Sequence, residues 1–538
     1  MAPRRPSPAE LRGARPVFLL VVEWLGRVYR FASEPLQVTT SEGLQYRFSG
    51  SLDLRSYSDT LPRSGSSQTG GTASLGVEFV GLNVTQEYLR GRILEGALCE
   101  LSMIFVRAGV AVTLWEDRIV QIAGSASRPQ IGFPDRPAGF AAFTVTARPY
   151  DDSTPVLSPG ARIVPGTQAA AGSEYYGAAY PLVFGSPGNA DTPGSPGYLI
   201  KSVAGDRRIL IAAGRVDASR VTVSDEEGNE YQNVTVEHDI DGSGTLYAYI
   251  NVSGAPSPFK KAEGRHHIHW TYLGLPQYGL QNPFGPGGLS KSTDVLRYLL
   301  GLTPRGVDNP AWQAAAGVLD RYTLGGYVND PAITVWGFVS GELLPLLPVQ
   351  VRNGPDGLYP VSLLPVQPVS HLPQLTISDS SGLVQIAPIQ ITKNLREIVN
   401  QTALAYEFND RERRLTLQLV ESPSEAVQDR ARVSEAQRSR EIYGARTGPT
   451  VEAGYIDSEA GAQQVLRWLL LDRGFLHMSA QVRAAPRWGW LQVGDHVSLT
   501  ASDLGMTGKR AIVTSKAWDG TAWRFVLSWS LAPLEELL

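Results

Sequence analysis

Apolar and polar side chains alternate in short runs along most of this chain, and the runs at its two ends follow the same order. Near the C-terminus, Trp490-Leu491-Gln492-Val493-Gly494-Asp495-His496-Val497-Ser498-Leu499-Thr500 places a leucine before a glycine turn. An alternating strand follows, with its apolar side chains on one face. Near the N-terminus, Leu94-Glu95-Gly96-Ala97-Leu98-Cys99-Glu100-Leu101 does the same. Each stretch then reaches a further strand (118–123 or 510–515) and a glycine turn (Pro137-Ala138-Gly139 or Asp519-Gly520). A closing strand ends each, at 140–148 or 523–531. Order and spacing, rather than residue identity, predict two β-barrel-like modules at opposite ends of one chain.

The stretches between them set the remaining elements. Residues 17–150 are rich in Val, Leu, Phe and Tyr, with strands expected at 18–31, 45–54, 76–79, 98–107 and 110–115. The Ser- and Gly-rich run 56–71 reads as a long loop, and 151–179 as a linker. A β-rich insertion spans 180–275, where 219–223, 231–238 and 245–252 predict a meander turning at Glu227-Gly228-Asn229 and Asp241-Gly242-Ser243-Gly244. An α/β insertion spans 276–374. There Ser290 or Ser292 caps a helix with Val295, Leu296, Leu299 and Leu300 on one stripe, and Asn309-Pro310 starts another. The final domain, 375–538, opens with an amphipathic helix at 394–406, presenting Leu395, Ile398, Val399 and Ala403 or Leu404. A strand at 415–420, a polar stretch at 421–446 and a helix at 458–472 ending at Gly474 lead into the second barrel-like module. The fold class expected is mainly β with α+β insertions, in several domains.

At 538 residues the chain exceeds one core, and 43% apolar with 19% charged residues is a globular composition. A net charge of -4 gives no bulk reason to hold nucleic acid. The single cysteine, Cys99, excludes an intramolecular disulfide and any cysteine-based zinc site. Residues 1–16 carry Arg4, Arg5, Arg12 and Arg15, and then Val17-Phe18-Leu19-Leu20-Val21-Val22 imitates a signal peptide. Glu23 and Arg27 interrupt that run far short of the ~20 apolar residues that span a bilayer. A flexible basic arm leading into a buried strand is expected, in a protein neither secreted nor membrane-inserted.

Candidate chemistry is sparse. On a strand, His267 and His269 of His266-His267-Ile268-His269 share a face where two metal ligands could converge. No cysteine or carboxylate nearby completes a site, so a structural role outweighs a metal role. Asp239-Ile240-Asp241-Gly242-Ser243-Gly244 imitates a calcium loop, yet its twelfth position is Ile250, and a hairpin turn fits better. No nucleophile elbow, phosphate loop or H-E-x-x-H helix occurs. Glu23, Asp53 and Asp117 offer carboxylates without a reason to pair any two. Trp488, Trp490, Trp518, Trp523 and Trp529 crowd the last module, where barrel packing outweighs sugar stacking. Gly494 and Asp495 form the one structural motif: a turn conformation that a Cβ would disfavour, followed by a carboxylate that accepts backbone hydrogen bonds. No cofactor and no enzymatic activity are expected.

The order of parts from 394 to 531 resembles the distal module of tailed-phage baseplate hub and tail-tip proteins. The matching pieces are Arg440-Glu441-Ile442-Tyr443-Gly444, the helix at 460–471 and Leu491-Gln492-Val493-Gly494-Asp495-His496-Val497. Tyr180-Pro181-Leu182-Val183-Phe184-Gly185 is similar to an element of siphophage tail proteins. Thr293-Asp294-Val295-Leu296-Arg297-Tyr298-Leu299-Leu300 is like a helix of the same family. The resemblance covers about two thirds of the chain and extends to gene transfer agents. It implies two tail-tube-like barrels and a homotrimeric ring joining a hexameric tail tube to a central fibre or spike. It also implies contacts with the distal tail or tail tube protein and the tape-measure protein, transient passage of genomic DNA, and indirect contact with the host surface. The place implied is the distal tip of the virion tail, assembled in the host cytoplasm.

Overall fold

The computed structural model describes residues 11–534 except 12, 62–70, 148–152, 159–161, 164–176, 186–194, 204–205, 217–220, 225–233, 243, 253–267, 273–281, 286–287, 355, 410–413, 422–429 and 432–433. Its largest element is one sheet to which both ends of the chain contribute. The N-terminal unit supplies β1 (Arg15–Trp24), β2 (Arg27–Ala32), β3 (Leu52–Thr60), β4 (Thr72–Glu78), β5 (Leu98–Arg107), β6 (Ile119–Ala126) and β7 (Phe140–Ala147), hydrogen-bonded in the order β2-β1-β5-β6-β7-β4-β3. A bridge between Phe31, at the end of β2, and Ser49, just ahead of β3, brings the two edges of this run together and closes it into a barrel. The C-terminal unit supplies β8 (His477–Ala484), β9 (His496–Ala501), β10 (Met506–Trp518) and β11 (Trp523–Ser530).

The two units share one topology. In the N-terminal unit β4 leads through the helix Val84–Leu89 to β5, β6 and β7, and the sheet order is β5-β6-β7-β4. In the C-terminal unit β8 leads through the 3₁₀ turn Pro486–Trp490 to β9, β10 and β11, and the sheet order is β9-β10-β11-β8. Every neighbouring pair is antiparallel in both. Leu94 and Leu491, the leucines of the two turns, are both fully buried in the same hydrophobic cluster. The two barrels are therefore not separate modules: β3 pairs with β10 from Thr60↔Ser515 to Tyr57↔Trp518, and the apolar faces merge into one core. Phe18 of β1 lies 5.3 Å from Trp518 and 5.9 Å from Trp523, ring centre to ring centre, across that junction.

A second core cuts across the boundaries read from sequence. It combines Val156, Leu157 and Phe184 with 289–364 and with Leu404–Leu470 side chains, so the helix Glu459–Arg473 packs with the α/β insertion. Within the expected linker, Val156 donates its backbone N–H to Ile333 and is buried, and Ile163 is fully buried. A separate six-stranded sheet runs in the order 221–224, 268–272, 195–203, 206–213, 246–252, 234–240. Only its last two strands form the hairpin expected of a meander, because 221–224 pairs instead with 268–272.

Several local expectations are corrected. The helix at 394–406 is a single turn, Leu395–Glu397, closed by an Asn394/Glu397 capping box, followed by the strand Ala403–Asn409. Buried Asn400 explains the break: its Nδ2 donates to Ser439 and Gly444, and its Oδ1 accepts from the Arg446 backbone, so 398–402 is tied to another segment rather than to its own preceding turn. Leu404 and Tyr406 then alternate inward with strand periodicity. The loop at 56–71 is strand as far as Thr60, and 62–70 lie outside the described residues. The basic arm ends earlier than 16: Leu11 packs on the shared core, Arg15 begins β1 and pairs with Glu34, and residues 1–10 lie outside the described residues. Neither Ser290 nor Ser292 caps the helix Ser292–Gly301; Lys291 holds that place, and the Ser292 hydroxyl donates to Leu319 O at 2.7 Å. Asp308 and Ser458 cap the helices Asn309–Leu319 and Glu459–Arg473.

Candidate functional site: the junction of the two barrels

The ladder joining β3 to β10 places charge in the middle of the shared core. Tyr57 and Asp59 of β3 face Trp518 and Lys516 of β10 as direct cross-strand partners. Lys516 is fully buried, Asp59 is 4% exposed and Gln121, reaching in from β6, is 7% exposed. A buried charge is tolerable only when paired and hydrogen-bonded, and here every cation has partners. Lys516 Nζ donates to Gln121 Oε1 at 2.6 Å and to Gly489 O at 2.6 Å, and it lies 4.4 Å from the centre of the Trp523 ring. Burial pushes the Lys516 ammonium down to about 7, against the raising charges of Asp59 and Asp495. Tyr57 donates its hydroxyl to Gln121 O at 3.1 Å, and burial together with Asp59 raises its phenol well above its ordinary value.

The third member of the junction comes from the α/β insertion. Its hairpin, Val349–Gly354 and Gly357–Ser362, carries Arg352, which is 5% exposed. The guanidinium pairs with Asp59 and donates from Nη1 to Val493 O at 2.6 Å. On the other strand of the hairpin, Val361 packs against Gly494, and Ser362 O hydrogen-bonds His496 Nε2 at 2.8 Å. Gly494 adopts φ +94° and donates to Val513 O. Asp495 accepts the Gln492 backbone N–H at 2.9 Å through its side chain, and its own carbonyl accepts from Val513. One hairpin thus fastens both barrels at the same point.

The other candidates do not join this site. His267 lies outside the described residues, and His269 sits on the strand Ile268–Tyr272, paired with Pro196 and Ser224. Among the described residues no group of three or more His, Cys, Asp or Glu is placed to hold a metal ion. Asp241 accepts Thr245 N–H and the Tyr180 hydroxyl within a hairpin turn, the role expected over calcium binding. Glu23 and Asp53 are exposed on β1 and β3, and Asp117 lies in the turn Trp115–Asp117. Trp518, Trp523 and Trp529 are buried in the shared core.

A cleft of about 670 Å³ opens elsewhere, between Gly325–Tyr327, the strand Ala403–Asn409 and residues 452–457. Glu342, Glu407, Glu452 and Asp457 face it together with Tyr327 and Tyr455. Glu407 is buried at φ +61°, a left-handed conformation unusual for a non-glycine residue. Its lining comes from four distant stretches of chain, so no local motif marks it.

Cys99, on β5, is 4% exposed, and burial pushes its thiol up to about 12. The thiolate is the reactive form. Native protein is therefore expected to resist iodoacetamide at mildly alkaline pH and to be alkylated fully only after denaturation. Native alkylation at the rate of a free thiol would contradict this placement.

No family model and no curated protein matches the chain. Among solved structures it is similar to the virion of a native gene transfer agent particle, at 12% identity and a TM-score of 0.37 over 61% of this chain and 79% of that one. It is also similar to prophage tail protein gp18 from Listeria monocytogenes EGD-e, at 12% identity and a TM-score of 0.25 over 64% of this chain and 87% of that one. At that level of likeness, function has to be read from the chain's own residues and topology.

Proposed function

We propose that this chain is a structural protein of a phage-type tail, a hub at the distal tip that joins the hexameric tail tube to a central fibre or spike. The observation that carries the reading is the repeated topology: β4 to β7 and β8 to β11 are the same four-stranded arrangement, joined where β3 pairs with the C-terminal end of β10. Three copies of a chain with two similar barrels present six similar domains, which match a six-fold tube above and a three-fold fibre below. The shared core and the fastening hairpin hold the two barrels at one fixed spacing, as a ring requires. Exposed Val80 and Ile93 flank the Trp24–Phe79 contact, Val80 as the residue after Phe79 and Ile93 through its carbonyl, which accepts from Trp24 Nε1, and exposed apolar side chains of that kind suit burial against a neighbour. The lumen of the ring passes DNA without gripping it, in keeping with the modest net negative charge.

Light scattering on the purified chain tests the reading. A trimer mass is the expected result; a monomer at micromolar concentration would remove its main physical argument. The acidic, aromatic cleft at Glu407 favours a second reading, a polysaccharide-binding or lytic tail protein. Glycan-array binding lost on Tyr327→Ala, or zymographic activity lost on Glu407→Gln, would favour that alternative.

A further inference from the structure

The shared core holds three side chains that carry complementary chemistry: an amine, a carboxamide and a carboxylate. We propose that Lys516 and Gln121 become joined by an intramolecular isopeptide bond, formed by the protein itself, which locks the C-terminal barrel covalently to the N-terminal one.

The geometry supplies the approach of the amine to the amide. Lys516 Nζ lies 2.6 Å from Gln121 Oε1, so the amide carbon is one bond beyond an existing contact. Such proximity replaces an encounter with a held pair, which lowers the barrier to amide exchange by several orders of magnitude in rate. The nucleophile must be the free amine. A lysine at its ordinary value is almost wholly protonated near neutrality, whereas complete burial brings Lys516 down to about 7 and leaves a large share as amine.

Asp59 makes no hydrogen bond to Nζ, so it serves as the proton carrier only after its side chain swings toward the amine. Asp59 is the cross-strand partner of Lys516, and side chains so paired start about 5 Å apart. Asp59 Oδ2 is occupied by Arg352 and Tyr57, while buried Oδ1 has no hydrogen-bond partner among the described residues. Tyr57 at 1% exposure and Trp523 at 0% enclose the pocket and keep bulk solvent away from the same carbon.

The step balances without an outside reagent. The Nζ lone pair attacks Gln121 Cδ, and the Cδ–Nε2 bond breaks. One proton passes from Nζ to Nε2, which leaves as ammonia; Asp59, the carboxylate on the facing strand, moves in to carry it. Nothing is oxidised or reduced, and the product is a secondary amide. Its remaining N–H keeps the hydrogen bond to Gly489 O. The bond ties β6 to β10 across 395 residues of sequence. A non-covalent strut would need only the hydrogen bonds, so mass distinguishes the two.

The test uses the full-length wild-type chain, denatured and weighed intact by mass spectrometry, then digested. The expected result is a mass lower than the sequence mass by one ammonia, with a branched peptide containing both Gln121 and Lys516. Full sequence mass, with the two residues in separate linear peptides, would overturn the proposal without any variant having to fold. Lys516→Arg is expected at full mass; an ammonia deficit that persists in it would likewise overturn the assignment. Asp59→Asn is expected to leave most chains unlinked, and complete linkage in that variant would remove Asp59 from the reaction.

Discussion

Arg352→Ala is expected to lower the free energy of unfolding by about 3–5 kcal/mol, the range for stranding one partner of a buried ion pair. The arginine is 5% exposed and Asp59 4%, so water cannot replace the lost cation. The truncation also removes the Nη1 donor from Val493 O, in the turn that starts β9, and loosens the hairpin from both barrels. The pair itself is not a large net source of stability, because desolvating two charges offsets most of their attraction. The prediction therefore has a second arm. The double variant Arg352→Met with Asp59→Leu is expected to recover most of the loss, since it leaves no charge stranded. Denaturant unfolding followed by tryptophan fluorescence reports on this region through Trp518 and Trp523. A loss below about 1 kcal/mol for Arg352→Ala, as for an exposed pair, would mean that the junction is open to water.

This junction is also where reading the sequence fell short, for an identifiable reason. Strand periodicity predicted both turn-strand-strand repeats, because the signal is local: a leucine, a turn glycine and alternating apolar residues. The same applies to the helix Glu459–Arg473, whose stripe and serine cap lie within one stretch. Asp59 and Lys516 were missed because the expected strands stop at residues 54 and 515, where a strand irregularity breaks the alternation, whereas the strands run on to Thr60 and Trp518. The register of β3 shifts between Leu54 and Ser56, and that of β10 shifts between Val513 and Ser515. Inward parity therefore changes midway along both strands: Leu52 and Leu54 share a face with Tyr57 and Asp59, and Ala511 and Val513 with Lys516 and Trp518. A strict two-residue alternation breaks at each shift, so the second half of each strand does not continue the pattern of the first. The remaining partners, Gln121 and Arg352, lie far away in sequence, and no spacing connects them. The helix expected at 394–406 failed differently. Its apolar spacing suited either structure, and the decision was made by Asn400 bonding to residues some forty positions later.

Gly494→Val is expected to cost about 3–5 kcal/mol, the sum of backbone strain of about 1–3 kcal/mol and overpacking of about 1–3 kcal/mol. At φ +94° any side chain is strained, and a β-branched one most of all. A Cβ built there would stand 2.9 Å from both γ-carbons of Val361, closer than real contacts allow. Neither side can yield cheaply. Gly494 N–H is bonded to Val513 O, the Asp495 carboxylate holds Gln492 N–H, and Val361 belongs to the hairpin that carries Arg352. Displacing Val361 therefore pulls on the Asp59 pair, so this variant and Arg352→Ala are expected to be less than additive. Gly505 separates the two causes: its φ is +63°, and a Cβ there meets nothing within 4 Å. Gly505→Ala should show backbone strain alone, about 1 kcal/mol, and Gly494→Ala should fall between that and the valine variant. For the proposed trimer, loss of its mass in light scattering is expected to follow the loss of stability across the series. A Gly494→Val chain that unfolds at the wild-type denaturant concentration would show that the turn is free of the hairpin, and with it that the hairpin does not set the spacing of the two barrels.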